Sequence, residues 1–99
     1  MDSSAGPLLL HLVPGDPEPL RDQIERQLRA RITRGELAPG AALPGHRQLA
    51  RAHRVAPSTV SAAYGSLVDD GLLDRSLDGA VTVAIVTPGR RRELAQRLQ

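Results

Sequence analysis

Cysteine, phenylalanine, tryptophan and lysine are absent from this 99-residue chain, and tyrosine occurs once. Without cysteine there is no disulfide, no thiolate zinc site and no cysteine nucleophile, which argues against a small disulfide-stapled secreted module. With a single aromatic side chain the core must be aliphatic. A chain this short buries only about two-thirds of its unfolded surface, so modest stability is expected. Long apolar runs are missing too. Leu8-Leu9-Leu10-His11-Leu12-Val13 falls far short of the roughly 20 residues that span a bilayer, and Asp2 stands where a signal peptide carries its basic start. The expectation is one soluble, cytoplasmic globular unit with no membrane partner, too short for a multidomain enzyme.

What is present is arginine. It supplies all 13 basic residues against 11 acidic ones, for a formal net charge of +2. The distribution is more informative than the total. Residues 21–54 hold eight arginines against Asp22, Glu25 and Glu36, a local +5, while residues 1–20 and 69–89 each sum to −3. A segment of concentrated positive charge is the footprint of a phosphate-binding face. Charge alone leaves a solvated arginine-rich helix surface equally open, because the planar guanidinium suits water as well as phosphate.

The hydrophobic period places the elements. Asp16 reads as an N-cap with Pro17 and Pro19 in the first turn, and Leu20, Ile24, Leu28 and Ile32 recur every fourth residue to form one apolar stripe that ends at Gly35. Residues 36–45 read as a tight connector with Leu37 and Leu43 turned inward. A short second helix runs over His46 to His53, with Leu49 and Ala50 on its buried side and Arg47, Arg51 and Arg54 turned outward. Pro57 starts a third helix, with Val60, Ala63, Tyr64 and Leu67 on one face and Gly71 as its stop. The period then changes to two. Leu73, Arg75 and Leu77 alternate, Asp78-Gly79 is a hairpin turn, and Val81, Val83 and Ile85 alternate again. Pro88-Gly89 breaks the chain, and Leu94 and Leu98 suit a short C-terminal helix.

This order predicts an α+β, mainly α fold: three helices plus a two-stranded β-wing, the winged helix-turn-helix arrangement, with a short C-terminal helix. Residues 1–15 form an N-terminal arm, 16–87 the winged domain and 88–99 a helical tail. In such a fold the second helix of the tight pair enters the major groove and the hairpin reaches the flanking backbone or minor groove.

Several motifs sharpen the reading. Pro19-Leu20-Arg21-Asp22-Gln23-Ile24, Gly35-Glu36-Leu37-Ala38-Pro39-Gly40-Ala41-Ala42-Leu43-Pro44 and Arg47-Gln48-Leu49-Ala50 resemble, in order and spacing, the first helix, connector and second helix of the GntR family of bacterial winged-helix transcription regulators. Val55-Ala56-Pro57-Ser58-Thr59-Val60, Ala63-Tyr64, Leu67 and Gly71-Leu72-Leu73 resemble its YtrA-like subgroup, and the likeness runs over residues 16–84. The resemblance implies a homodimer that binds double-stranded DNA at a palindromic operator, as a repressor. It also implies that Arg47 contacts DNA and that Ser58 and Thr59 open the recognition helix. A guanidinium gives bidentate contact to phosphate or guanine, and hydroxyls with free N–H groups at a helix start suit a phosphate.

The chain departs from the family pattern at three places. Gly45-His46 stands where a capping serine is usual, Ala56 where a capping Asn or Ser is common, and the wing tip is acidic at Asp78 with no aromatic after it. The wing is therefore expected to add little affinity. The DNA-facing set is Arg47, Arg51, Arg54, Pro57, Ser58, Thr59, Ser61, Ala62, Tyr64 and, at the wing tip, Gly79. Ser61, Ala62 and Gly65 are small and permit close approach but few long contacts, so arginine–phosphate contacts are expected to carry most of the affinity. Two alternatives stand at this stage. Arg51 and Arg54 could pair with acidic neighbours, and Tyr64 could lie wholly in the core.

Other chemistries find no footing. His46 and His53 are seven residues apart, unlike the i, i+4 pair of a helical zinc site, and there is no Ser, His and Asp pattern or glycine-rich phosphate loop. Neither an enzyme, a metal nor a cofactor is expected. The tail after Pro88-Gly89 is too short for the subgroup's dimerisation helices or for a small-molecule effector domain. Together with the acidic wing and missing caps, this shortness supports a rival reading: a protein-interaction module of the same fold that acts through a partner regulator.

Overall fold

The computed structural model describes residues 8–85. Its elements are helix α1 (Leu20–Thr33), strand β1 (Ala42–Leu43), helix α2 (His46–His53), helix α3 (Pro57–Asp69) and strands β2 (Leu73–Arg75) and β3 (Val81–Val83). The expected C-terminal helix lies outside the described residues. No helix among the described residues is long and apolar enough to cross a membrane.

The four-residue stripe builds the core as its period requires. Ile24 and Leu28 are fully buried, Leu20 and Ile32 half-buried at the two ends. From α3, Val60, Ala63, Tyr64 and Leu67 complete the same cluster, with Leu49 and Ala50 of α2 against them. Both α1 and α2 pack on α3.

Helix α1 begins four residues later than Asp16. Glu18 precedes Pro19, and a residue before proline is driven out of the helical region. Asp16 instead accepts the Glu18 N–H at 2.9 Å in a local turn, and Pro19 occupies the N-cap with no side-chain bond. The ends of the helices follow one pattern. After α1 the Gly35 and Glu36 N–H groups return to the Ile32 and Arg31 carbonyls, and after α3 those of Gly71 and Leu72 return to Val68 and Leu67. Both are Schellman closures with glycine in the left-handed position, at φ 81° in each case.

The sheet has three strands, not two. Its order is β1-β3-β2, all antiparallel, with Leu43 opposite Val81 and Leu73 opposite Val83. These two pairs face the core, and Thr82 between them is half-buried. The wing turn also differs from a two-residue Asp-Gly turn. Gly79 N–H bonds the Ser76 carbonyl and Ser76 N–H bonds Ala80, which makes a three-residue loop closed by Gly79 at φ 91°. Leu77 therefore leaves the alternation and is fully exposed.

The arm is docked. Leu8, Leu10 and Leu12 turn toward the core while Leu9, His11 and Val13 face outward. The segment runs antiparallel to α1 and is held by side chains four residues apart. The Gln23 amide accepts the Val13 N–H (2.8 Å) and donates to its carbonyl (3.0 Å). The Gln27 amide does the same for His11 at 2.8 and 2.7 Å, and Arg31 donates to the Leu9 carbonyl. Four helical residues advance about 6.0 Å and two extended residues about 6.6 Å. The two ladders thus stay in step, and the longer arginine takes up the accumulated drift.

Candidate nucleic-acid interface

Arg47 and Arg51 are four apart and share one exposed face of α2. Arg54 follows at the C-terminus of α2, also exposed. Among the described residues no carboxylate pairs with any of the three. The arginines of α1 and its C-terminal end behave differently. Arg21 meets Glu25 at 3.2 Å, Arg26 meets Glu18 at 2.9 Å, Arg29 meets Asp70 at 2.6 Å and Arg34 meets Glu36 at 2.8 Å. Two of these partners, Glu18 and Asp70, come from the acidic flanks of the sequence. Arg31, the remaining arginine of α1, donates to the Leu9 carbonyl instead, so the segment divides into an engaged set on α1 and a set without carboxylate partners on α2. The Arg26 guanidinium, by hydrogen bonding and charge, holds the Glu18 carboxyl below the usual carboxylate range.

Glu25 sits at the α1–α3 junction. One carboxylate oxygen accepts the Ser66 hydroxyl at 3.0 Å. The other lies within ion-pair distance of Arg21 Nε but without hydrogen-bond alignment.

At the start of α3, Pro57 occupies the first helical position and Ala56 caps with backbone only. Pro57, Ser58 and Ala62 are exposed, while Thr59, Ser61 and Gly65 are half-buried. The helix thus presents small side chains beside the unpaired arginines of α2. Gly79 is exposed at the wing tip. Next to it the Asp78 carboxylate accepts the Ser76 hydroxyl and, at 3.1 Å, the Ala80 N–H. These bonds, the serine's first, keep its carboxyl below the ordinary range, so the tip carries a negative charge at neutral pH.

Tyr64 does not belong to the exposed set. Its side chain is fully buried and its hydroxyl donates to the Pro44 carbonyl at 2.8 Å. Burial raises its phenol well above the ordinary value. A ring at the edge of an apolar stripe can satisfy its hydroxyl inside when a carbonyl is near, and the chain just before α2 supplies one. Tyr64 is a tie between α3 and the lead-in to α2, and it has no free hydroxyl for a phosphate.

His53 was legible only as a poor metal ligand. Its Nδ1 lies 3.0 Å from the Leu49 carbonyl and its Nε2 accepts the Leu10 N–H at 2.9 Å. No cluster of metal-ligating side chains exists among the described residues. The Gln23, Gln27 and Arg31 series is likewise absent from the sequence-predicted site residues. A four-residue polar period facing a two-residue apolar one was its only signal.

Comparison with known proteins places this geometry. The model for bacterial regulatory proteins of the gntR family matches residues 20–83. The HTH-type transcriptional repressor NagR of Bacillus subtilis is 41% identical over 59 residues, which are 60% of this chain and 24% of NagR. YtrA from Sulfolobus acidocaldarius, a GntR-family transcription factor, superposes with a TM-score of 0.75 at 29% identity, covering 90% of this chain and 80% of that one. The structure of AraR(DBD) in complex with operator ORX1 superposes at 0.68 with 26% identity, covering 78% of this chain and 99% of that one. The chain spans 13% to 51% of the length of the curated relatives it matches.

Proposed function

The chain belongs to the gntR family of bacterial regulatory proteins, and from that membership we propose that it is a YtrA-like DNA-binding regulator that represses transcription by occupying a palindromic operator. The recognition helix α3 lies in the major groove, with Pro57, Ser58 and Thr59 at its leading end and Ser61 and Ala62 permitting close approach. Arg47, Arg51 and Arg54 bind the flanking phosphates. Few long side chains reach base edges, so phosphate contacts hold the register and supply most of the affinity. The wing, with Gly79 beside the charged Asp78, adds little.

One observation carries this reading: Arg21, Arg26 and Arg29 of α1 are matched to carboxylates and Arg31 to the Leu9 carbonyl, whereas Arg47 and Arg51 of α2 and Arg54 at its end have no carboxylate partner among the described residues. An unpaired guanidinium keeps its full charge for a phosphate and releases a counterion on binding. The related AraR domain is seen on operator DNA, which supports the same use of the fold here.

The test is fluorescence anisotropy over a salt series, on duplex DNA from upstream of the chain's own coding region and on a scrambled duplex. The upstream duplex binds tighter, and both show steep salt dependence. Arg47→Ala weakens binding about tenfold, the weight of a charge-assisted hydrogen bond. It also lowers the salt slope by about 0.9 per bound chain, the value of one phosphate contact. Unchanged affinity and slope in that variant would remove Arg47 from the interface.

A further inference from the structure

Helix α2 carries the unpaired arginines, yet it has only eight residues. Helices shorter than about 12–15 residues are marginal by themselves, so the attitude of α2 is set by what holds it. Leu49 and Ala50 seat it on α3, and the Tyr64 hydroxyl ties its lead-in through Pro44. The tie at its exit is His53. The Leu49 carbonyl can only accept, so Nδ1 carries the ring proton and Nε2 offers a lone pair, which takes the Leu10 N–H. On its other edge the arm is held to α1 by Gln23, Gln27 and Arg31. The arm therefore bridges α1 to the last turn of α2, one residue before Arg54 and two after Arg51.

We propose that the arm, residues 8–13, is a strap that sets the attitude of α2 on DNA, with His53, Gln23 and Gln27 as positioning residues for Arg51 and Arg54; this rests on the reading of α2 as DNA-facing. The amides of Gln23 and Gln27 grip backbone alone, so the strap's hold depends on its extended course and on leucines at alternate positions. Its outward residues do not enter.

The experiment uses the full chain and the upstream duplex. In His53→Leu the acceptor is lost. The Leu10 amide exchanges faster while α3 amides stay protected, affinity falls about tenfold, and the salt slope drops by about 1.8 as two phosphate contacts disengage. In His53→Gln the side-chain oxygen replaces the Nε2 acceptor, and affinity stays within about twofold of the parent, a rescue expected of a lost acceptor rather than of lost ring packing. If His53→Leu fails to fold, Gln27→Leu carries the test from α1. It removes both bonds to His11 without touching α2, and it lowers affinity and slope in the same direction. Release of the arm with affinity and slope unchanged, while Arg51→Ala still weakens binding, would overturn the strap and leave the DNA reading intact. If Arg51→Ala and Arg54→Ala also leave binding unchanged, the DNA reading of α2 fails and takes the strap with it.

Discussion

At Arg54 the backbone sits at φ 57°, ψ 44°, the left-handed region, and it is the one non-glycine residue among those described with positive φ. The bonding there repeats the closures of α1 and α3: the Val55 N–H returns to the Ala50 carbonyl at 3.0 Å and the Arg54 N–H to Arg51 at 3.4 Å. Those other two closures use glycine. A side chain in this conformation costs roughly 1–2 kcal/mol, part of which glycine returns through its greater freedom in the unfolded chain. A guanidinium kept at that cost, exposed and without a carboxylate partner among the described residues, points to use at the surface. Arg54→Gly is therefore expected to raise stability by about 0.5–1 kcal/mol in denaturant titration and to weaken DNA binding in the same preparation. Opposite signs in the two measurements mark a residue retained for binding. Loss of stability without loss of affinity would assign Arg54 to the fold instead.

Between elements, the tie from α3 to the lead-in of α2 rests on the chain's single tyrosine, which makes it directly observable. Burial raises the Tyr64 phenol above its ordinary value. A group whose pKa is raised on folding contributes stability that is fully present below its unfolded value, near 10, and is lost as pH climbs from there toward the folded value. Phenolate absorbance should therefore stay silent through pH 10, an ordinary tyrosine midpoint, and rise only as near-ultraviolet dichroism collapses with unfolding. A reversible midpoint near 10 in the folded chain would show the hydroxyl in water. Helix periods were the legible part of this architecture, and α2 falls on the residues its pattern predicts, because stripe, flanking glycine and proline all agree. The start of α1 departs from the Asp16 expectation, since the proline after Glu18 outweighs a good capping residue. Strand β1 could not be read at all. Two residues show no alternation, and their pairing with β3 is fixed by tertiary contact. Of the candidate site, the arginines of α2 were visible as charge, but which arginines remain unpaired depends on Glu18 folding back from just before α1 and on Asp70 arriving from the far end of α3.

For the whole molecule, a net charge of +2 hides a division that suits one-sided binding. Among the described residues the carboxylates lie largely on the flanks and against α1, and three exposed arginines without a carboxylate partner, Arg47, Arg51 and Arg54, gather on α2 and its end beside α3. On the function proposed above, a single such face covers one half-site, and two copies related by a twofold axis would read a palindrome with recognition helices about 34–36 Å apart, one turn of duplex. Of the extents of 39 × 38 × 27 Å, only the 27 Å one is shorter than that spacing, so two copies fit side by side on one flank of the DNA with that dimension along the duplex. Cooperation between them then depends on both half-sites facing the same way. Inserting about five base pairs between the half-sites, half of a turn of about 10.5, turns one recognition face to the opposite side of the duplex. In sedimentation or anisotropy measurements this insertion should abolish the tight two-chain complex and leave only weak single-site binding, whereas an insertion of about one full turn should restore part of the affinity. Binding indifferent to the insertion, with one chain on each half-site, would mean that the chain reads DNA as a monomer and that the palindrome plays no part in its affinity.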